Sequence, residues 1–398
     1  MRYPSTSLRA RRRAPRKAVT LIEMLVAIAA TLVLMLAVQQ VMGILGGGLA
    51  NNRATLEMMT QQASVRVKLQ SDLAGHTAQA LPLQDAESAG GYLEFIEGEK
   101  KDTSADWPPI TDSRGNTYPD SRFADTDDII ALTVRQGTPF IATQGNSNDE
   151  SYVAEVIWFL RPQNQPDPSQ PALFTLFRHV KLVGSIGGQG NGGSTEGELG
   201  RLTKRENRRY HNAGQLPFEL SHSQLPSVPP PVEIVLRNVL SFDVKVWDPR
   251  APIYADPSND KRVMAPGDPG YSTGGTVIGR GAYVDLGYAP LLSPPSHFSS
   301  RPNRPTRNSN WMSTMAVWDT WPRVYERDGK DQDGRHGPDQ GYNGLDDDGF
   351  NGVDDPGELE TRPPYSHPLR GVRVTIRIYE PASQQVRQIS VVQHFMPE

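Results

Sequence analysis

The 398-residue sequence contains no cysteine. This absence excludes disulfide bonds, thiolate metal sites and cysteine nucleophiles, but it does not fix the compartment because exported proteins can also lack disulfides. The common signatures of enzyme sites are missing too: there is no G-x-S-x-G, no H-E-x-x-H, no phosphate-binding loop and no dinucleotide fingerprint. The eight histidines are scattered without metal-site spacing. We therefore expect a protein without enzymatic activity.

Glycine and proline are abundant, with 36 and 34 residues, which predicts that turns and loops make up much of the chain. The formal net charge of −4 conceals an uneven distribution. Seven Arg and Lys residues precede the first acidic residue, Glu23. The N-terminus is therefore basic and the rest of the chain is acidic.

Residues 19–45 form an apolar run that is long enough to cross a ~30 Å hydrocarbon layer as a helix. The basic cluster at positions 11–17 is expected to stay in the cytoplasm, which places the C-terminal part in the periplasm. The run is too long for an ordinary secretory signal, and no small-x-small cleavage site follows it. The sequence predicts a single-pass inner-membrane protein, with an uncleaved signal anchor as the simple alternative.

Glu23 lies inside this apolar run, where a lone carboxylate costs several kcal/mol unless it is protonated or paired, so it indicates a function. The surrounding residues 17–25, KAVTLIEML, resemble the cleavage and methylation signature of type IV pilins and of the pseudopilins of type II secretion. The resemblance implies a prepilin peptidase that removes a leader of residues 1–18. Ala18 would be the last leader residue, where the family usually has glycine. Val19 would be the N-methylated new terminus, where the family usually has phenylalanine or methionine.

The same resemblance implies that the protein assembles with other pilin-like subunits. Glu23 would become the fifth residue of the mature chain. Its carboxylate would pair with the positively charged terminal amine of a neighbouring subunit, because both charges are costly to leave unpaired in lipid. That contact would set the axial register during assembly.

Residues 46–80 are expected to continue the helix outside the membrane, with the glycines at positions 46–48 as a soft middle. Leu81–Pro82 is expected to end it. The apolar stripe predicted to face the core consists of Leu56, Met59, Ala63, Val67 and Ala74.

Residues 81–398 are expected to form a β-rich domain, because β-branched and aromatic runs recur along them. Two pairs of runs predict hairpins, 152–160 with 172–180 and 371–379 with 385–395. The runs predicted as strands are 92–96, 128–134, 152–160, 172–180, 233–247, 371–379 and 385–395. Loop insertions are predicted at 184–231, 248–310 and 328–360. The expected fold is α+β and pilin-like, with a long N-terminal helix packed on an antiparallel sheet.

Three of these segments, in this order, are similar to the J-type minor pseudopilins within the same family. They are residues 176–178 (LFR), 239–248 (VLSFDVKVWD) and 369–376 (LRGVRVTI). The resemblance implies a minor subunit of a secretion pseudopilus.

The insertion at 328–360 is rich in aspartate and glycine and contains the repeat NGLDDDG followed by NGVDD. Oxygen ligands at turn-forming spacings are typical of Ca²⁺ sites, although the spacing does not match an EF-hand. The segment resembles the calcium-binding Asp/Asn-Gly repeats of extracellular proteins. The predicted ligands are Asp346, Asp348, Asn351, Asp354 and Asp355, with Asp331 and Asp333 as further candidates. A solvated acidic loop that binds no metal is the alternative.

The sequence therefore predicts a minor pilin-like subunit that works in filament assembly or protein export, with an extracellular location if it joins a filament. Two alternatives stay open: a calcium-binding adhesion module displayed on a pilus, and a signal-anchored periplasmic enzyme. Nucleic-acid binding is not expected, because the basic segment 201–209 lacks interleaved aromatic residues and contains Glu206.

Overall fold

The computed structural model describes residues 20–85, 88, 90–98, 110–111, 117–118, 125–144, 147–163, 173–184, 194–208, 232–256, 259–268, 271, 275–300, 316–331, 333–335, 337–381 and 385–395. They form one long N-terminal helix and a large antiparallel sheet, so the fold is α+β, as the sequence predicts. The chain divides into two compact units, residues 1–56 and 57–398.

The helices are α1 (Leu21–Ala74) and α2 (Thr195–Thr203), with short 3-10 helices at Arg205–Asn207 and Arg323–Arg327. The strands are β1 (Leu93–Glu97), β2 (Ile110–Thr111), β3 (Thr117–Tyr118), β4 (Ile129–Gln144), β5 (Ser147–Pro162), β6 (Phe174–Leu182), β7 (Val232–Asp256), β8 (Asn259–Met264), β9 (Val277–Val284), β10 (Ala316–Asp319), β11 (Gly371–Glu380) and β12 (Gln385–His394).

Within the described ranges, ten strands form one sheet in the order β10-β1-β4-β5-β6-β7-β11-β12, with β8 and β9 both paired to β7. Strands β2 and β3 form a separate small hairpin. All pairings in the large sheet are antiparallel. Strands that are neighbours in sequence also pair with one another in β4–β5, β5–β6 and β11–β12.

Every run predicted as a strand forms one, and both predicted hairpins are present as β5–β6 and β11–β12. The region 248–310 differs from the prediction of an insertion, because it contains the end of β7 together with β8 and β9. These strands pair with a 25-residue β7 that extends beyond the rest of the sheet. The sequences of β8 and β9 lack a clear alternation of apolar and polar residues. Pairing with β7, and not local propensity, therefore determines that they form strands.

Helix α1 ends at Ala74, before the predicted end at Leu81–Pro82. The chain leaves the helix at Gly75, whose amide donates to the carbonyl of Ser71 (2.9 Å), while its carbonyl accepts from the amide of Arg135 on β4 (2.7 Å). A Cβ at position 75 would lie 2.6 Å from the Arg135 carbonyl oxygen. Glycine thus allows the backbone to contact the sheet directly, and this contact ends the helix.

The C-terminal part of α1 packs against one face of the sheet, and α2 packs against the other. Alternate residues of β5 contribute to the two cores: Trp158 lies in the core that contains α1 residues, and Phe159 in the core that contains α2 residues. Burial on both faces explains why β5 has a continuous apolar run where a one-sided strand would alternate.

The predicted apolar stripe of α1 is wrong. Leu56, Met59, Ala63, Val67 and Ala74 are all exposed, whereas the buried positions are Met58, Val65, Leu69, Asp72 and Leu73. The buried stripe includes Asp72. A search for apolar residues at helical spacing misses this stripe because a carboxylate occupies one of its positions.

Asp72 is tolerated in the core because its carboxylate is fully paired. The guanidinium of Arg178 on β6 donates to both carboxylate oxygens (2.7 and 2.8 Å), and the indole of Trp158 on β5 donates to one of them (2.9 Å). Gln136 on β4 donates to the other (3.1 Å). The helix is therefore connected to three neighbouring strands through one side chain.

Candidate functional site in the N-terminal helix and the acidic loop

The predicted processing site, Ala18–Val19, lies outside the described residues, which begin at Thr20. Glu23 is described, and it lies exposed in the first turn of α1. The amide of Thr20 donates to the Glu23 carboxylate (2.9 Å), and the amide of Glu23 donates to the Thr20 hydroxyl (3.3 Å). This reciprocal arrangement is a capping box, which fixes the start of the helix at Leu21.

The segment Leu21–Gly43 has a mean hydropathy of 2.6, and none of its side chains is buried. Its 23 residues are sufficient to cross a membrane by length and composition, and a signal sequence would share both properties. The segment is thus long and apolar enough to serve as a membrane anchor or as a signal sequence.

The acidic loop, residues 328–360, brings three carboxylates together. One oxygen from each of Asp346, Asp348 and Glu358 lies within 4.8 Å of the others. Glu358 also organises the backbone, because its carboxylate accepts from the amides of Asp347 (2.5 Å) and Asp355 (3.1 Å). The sequence identified the two aspartates but missed the glutamate, which follows the Asp-Gly repeat in the segment GELE.

Asp355 lies beside this group and is only 8% exposed. One of its oxygens accepts from the amide of Gly357, and the other, Oδ2, has no hydrogen-bond partner in the part of the chain that the structure describes. Carboxylate oxygens of both Asp355 and Asp348 lie close to Gly357. A buried carboxylate oxygen without a donor next to three converging carboxylates is an arrangement that suits a bound cation.

The predicted ligands Asp354 and Asn351 take part in the turns of the loop. Asp354 accepts from the amide of Gly344 (3.0 Å), and both Asp354 and Asn351 have left-handed backbone conformations (φ 53° and 58°). Short polar side chains tolerate this conformation, so these residues contribute to the turns of the loop. Asp331 and Asp333 meet Glu360 in a second group.

The large exposed side chains Leu345, Phe350 and Val353 lie between the aspartates of the same loop. They alternate with acidic residues in a segment that has little regular secondary structure. The loop is therefore held by backbone-to-carboxylate hydrogen bonds more than by an apolar core.

No family model matches the chain, and no curated protein or solved structure matches it.

Proposed function

We propose that this protein is a minor pilin-like subunit of a type II secretion or type IV pilus system, processed by a prepilin peptidase and active in filament assembly or protein export. The observation that carries the proposal is helix α1, a single helix of 54 residues whose two ends lie in different environments. Its first 23 residues are apolar and exposed, and its last turns are buried against an antiparallel sheet. A pilin-like subunit needs both parts, one for the membrane or filament and one to carry a folded domain.

The position of Glu23 supports this proposal. The capping box starts the helix two residues after Val19, the proposed new terminus, so the carboxylate lies in the first helical turn. In a membrane or filament core this carboxylate is costly unless it is protonated or has a cationic partner. The terminal amine of a neighbouring subunit supplies this positive charge, so the apolar segment needs no basic side chain of its own.

Processing is tested by the N-terminal mass of the full chain, expressed with and without a prepilin peptidase. We expect a chain that begins at methylated Val19 only when the peptidase is present. Replacement of the small Ala18 by a bulky residue, Ala18→Leu, should block the cleavage. An intact Met1 in both samples, or cleavage after the apolar run, would refute the proposal and favour a signal anchor or a secreted protein.

The same samples test the role of Glu23. Glu23→Gln removes the charge but keeps an oxygen that can complete the capping box, whereas Thr20→Ala breaks the capping box and keeps the charge. If the charge directs assembly, the processed Glu23→Gln chain should fail to co-purify with pilin-like subunits from the same genome, and Thr20→Ala should co-purify normally. Equal behaviour of the two variants would show that Glu23 acts only on the helix start.

We further propose that the acidic loop binds Ca²⁺ through Asp346, Asp348 and Glu358, with Asp355 beside them. The support is the convergence of the three carboxylates and the donor-free buried oxygen of Asp355 within the described residues. Calcium takes six to eight oxygens in irregular geometry, which suits a loop of turns. Such a site would rigidify the surface that the loop presents to a partner.

The double variant Asp346→Asn, Asp348→Asn should lose the loop's share of calcium-dependent thermal stabilisation. A single site with calcium at a hundred times its Kd contributes about 2.7 kcal/mol. Asp354→Asn is the matched control: it neutralises a predicted ligand that lies outside the three-carboxylate group and keeps an oxygen that accepts from the Gly344 amide. An unchanged calcium shift in the double variant would exclude this assignment.

A further inference from the structure

A second set of carboxylates lies far from the acidic loop, inside the sheet domain. Glu97 is the last residue of β1, and Asp125 and Asp128 come just before β4. These three residues, the buried acidic cluster, are 2%, 1% and 1% exposed. One oxygen from each lies within 4.8 Å of the others.

Backbone amides hold these side chains in place. The amide of Leu286, just after β9, donates to Oε2 of Glu97 (3.1 Å), and the amide of Val244 on β7 donates to Oδ2 of Asp128 (2.7 Å). Asp125 is fixed through its main chain as well, because its carbonyl accepts from the amide of Phe242 on β7 (3.0 Å). The cluster is therefore built by four separate segments of the chain and is preformed.

These bonds leave buried oxygens without donors. Among the residues that the structure describes, Oε1 of Glu97 and Oδ2 of Asp125 have no hydrogen-bond partner. A buried carboxylate without full compensation costs several kcal/mol, so a native protein rarely keeps one without a counter-charge. Two such oxygens in one cluster indicate that a positively charged group belongs there.

Among the described residues, the basic side chain that acts on Glu97 is Lys245. Lys245 is buried nearby, but its ammonium contacts the carboxylates of Asp285 (2.5 Å) and Asp243 (3.3 Å). The half-buried Asp127 adds further negative charge. Among the described residues of this part of the core, the buried acids therefore outnumber the buried Lys245.

The three carboxyls are buried from water and lie close enough to repel one another as anions. The cluster is thus unstable as a set of bare anions, and either protons or a cation must neutralise it. A proton bridges only two oxygens, whereas three carboxylates around one space match the oxygen shell of a metal ion.

We propose that the buried acidic cluster binds one calcium ion through Glu97, Asp125 and Asp128. Three carboxylates can supply up to six oxygens, and calcium accepts six to eight in irregular geometry. Magnesium demands octahedral geometry and usually keeps several waters, which a cluster this deeply buried does not favour. The ion joins the end of β1 to the start of β4, next to β7 and the turn after β9.

The test is calcium stoichiometry, measured by equilibrium dialysis and elemental analysis on the chelator-treated full chain in detergent, together with thermal unfolding. Glu97→Gln keeps the size of the side chain and an acceptor for the Leu286 amide. It should bind one calcium fewer than the parent and show a smaller calcium-dependent rise in melting temperature. In chelator it should be as stable as the parent or more stable, because one repulsive charge is removed.

The acidic-loop variant Asp346→Asn, Asp348→Asn separates the two sites and does not depend on the folding of a core variant. It should retain one tightly bound calcium, and the combination with Glu97→Gln should lose it. If the loop variant binds no calcium, or if Glu97→Gln keeps the parent stoichiometry and melting shift, protons neutralise the cluster and the proposal is wrong. Binding of magnesium with no response to calcium would also overturn it.

Discussion

At the scale of single residues, the buried pair Asp72–Arg178 matters for the stability of the domain because loss of one partner leaves the other charge buried and poorly compensated. Asp72→Ala removes the bidentate partner of the Arg178 guanidinium, which is about nine-tenths buried, and leaves it the partly exposed Glu233 carboxylate at 3.8 Å. Removal of one partner of such a pair costs about 3–5 kcal/mol. We expect a decrease of this size in the free energy of unfolding, measured by chemical denaturation of the full chain in detergent with circular dichroism.

A second ion pair between the same helix and the same sheet is the matched control. Lys68 on α1 pairs with Glu233 on β7, but both side chains are about 40% exposed. Exposed pairs contribute about 0–1 kcal/mol, so Lys68→Ala should change stability little. Equal effects of Asp72→Ala and Lys68→Ala would contradict the importance of burial at this contact.

At the scale of secondary-structure elements, the end of α1 is coupled to pH through His76. This residue forms an isolated bridge with Val134 of β4, and its Nδ1 lies 2.8 Å from the carbonyl of Leu73. Burial lowers the pKa of His76, so the unfolded chain binds protons more readily than the folded one. The stability of the domain should therefore decrease as the pH falls below about 6.5, the unperturbed histidine value.

His76→Asn should weaken this acid sensitivity, because asparagine can donate to the Leu73 carbonyl and cannot become charged. The measurement is the melting temperature of each variant between about pH 5 and about pH 8. Phe395→Leu is the control, since it removes the ring that contacts His76 at 5.0 Å between centroids and leaves the titrating group in place. If His76→Asn and the parent respond identically to pH, His76 does not carry the effect.

At the scale of the whole molecule, the architecture was predictable where local pattern decides it. The apolar run before residue 45 and the β-branched runs each determine their own element, so α1 and the long strands appear where they were predicted. Strand β10, with four residues, has too short a pattern to identify. Its place at the sheet edge follows from pairing with β1, which lies more than 200 residues earlier in the chain.

The sites were less predictable, because their residues come together from distant segments. Asp346 and Asp348 were found from a local repeat, but Glu358 lies outside that repeat. Glu97 has no local feature that distinguishes it from a surface residue of an edge strand. Only the sheet order brings it to Asp125 and Asp128, and a sequence pattern does not contain that order.

The pairing of Asp72 with Arg178 also has a consequence for biogenesis. The two residues are 106 positions apart, so α1 is synthesised well before its charge partner on β6 exists. Until then the helix presents an unpaired carboxylate among Val65, Leu69 and Leu73, and it cannot complete its core. Under the proposed function, the membrane segment would enter the bilayer before the sheet domain folds, and chaperones or the translocation machinery would protect the nascent helix during that interval.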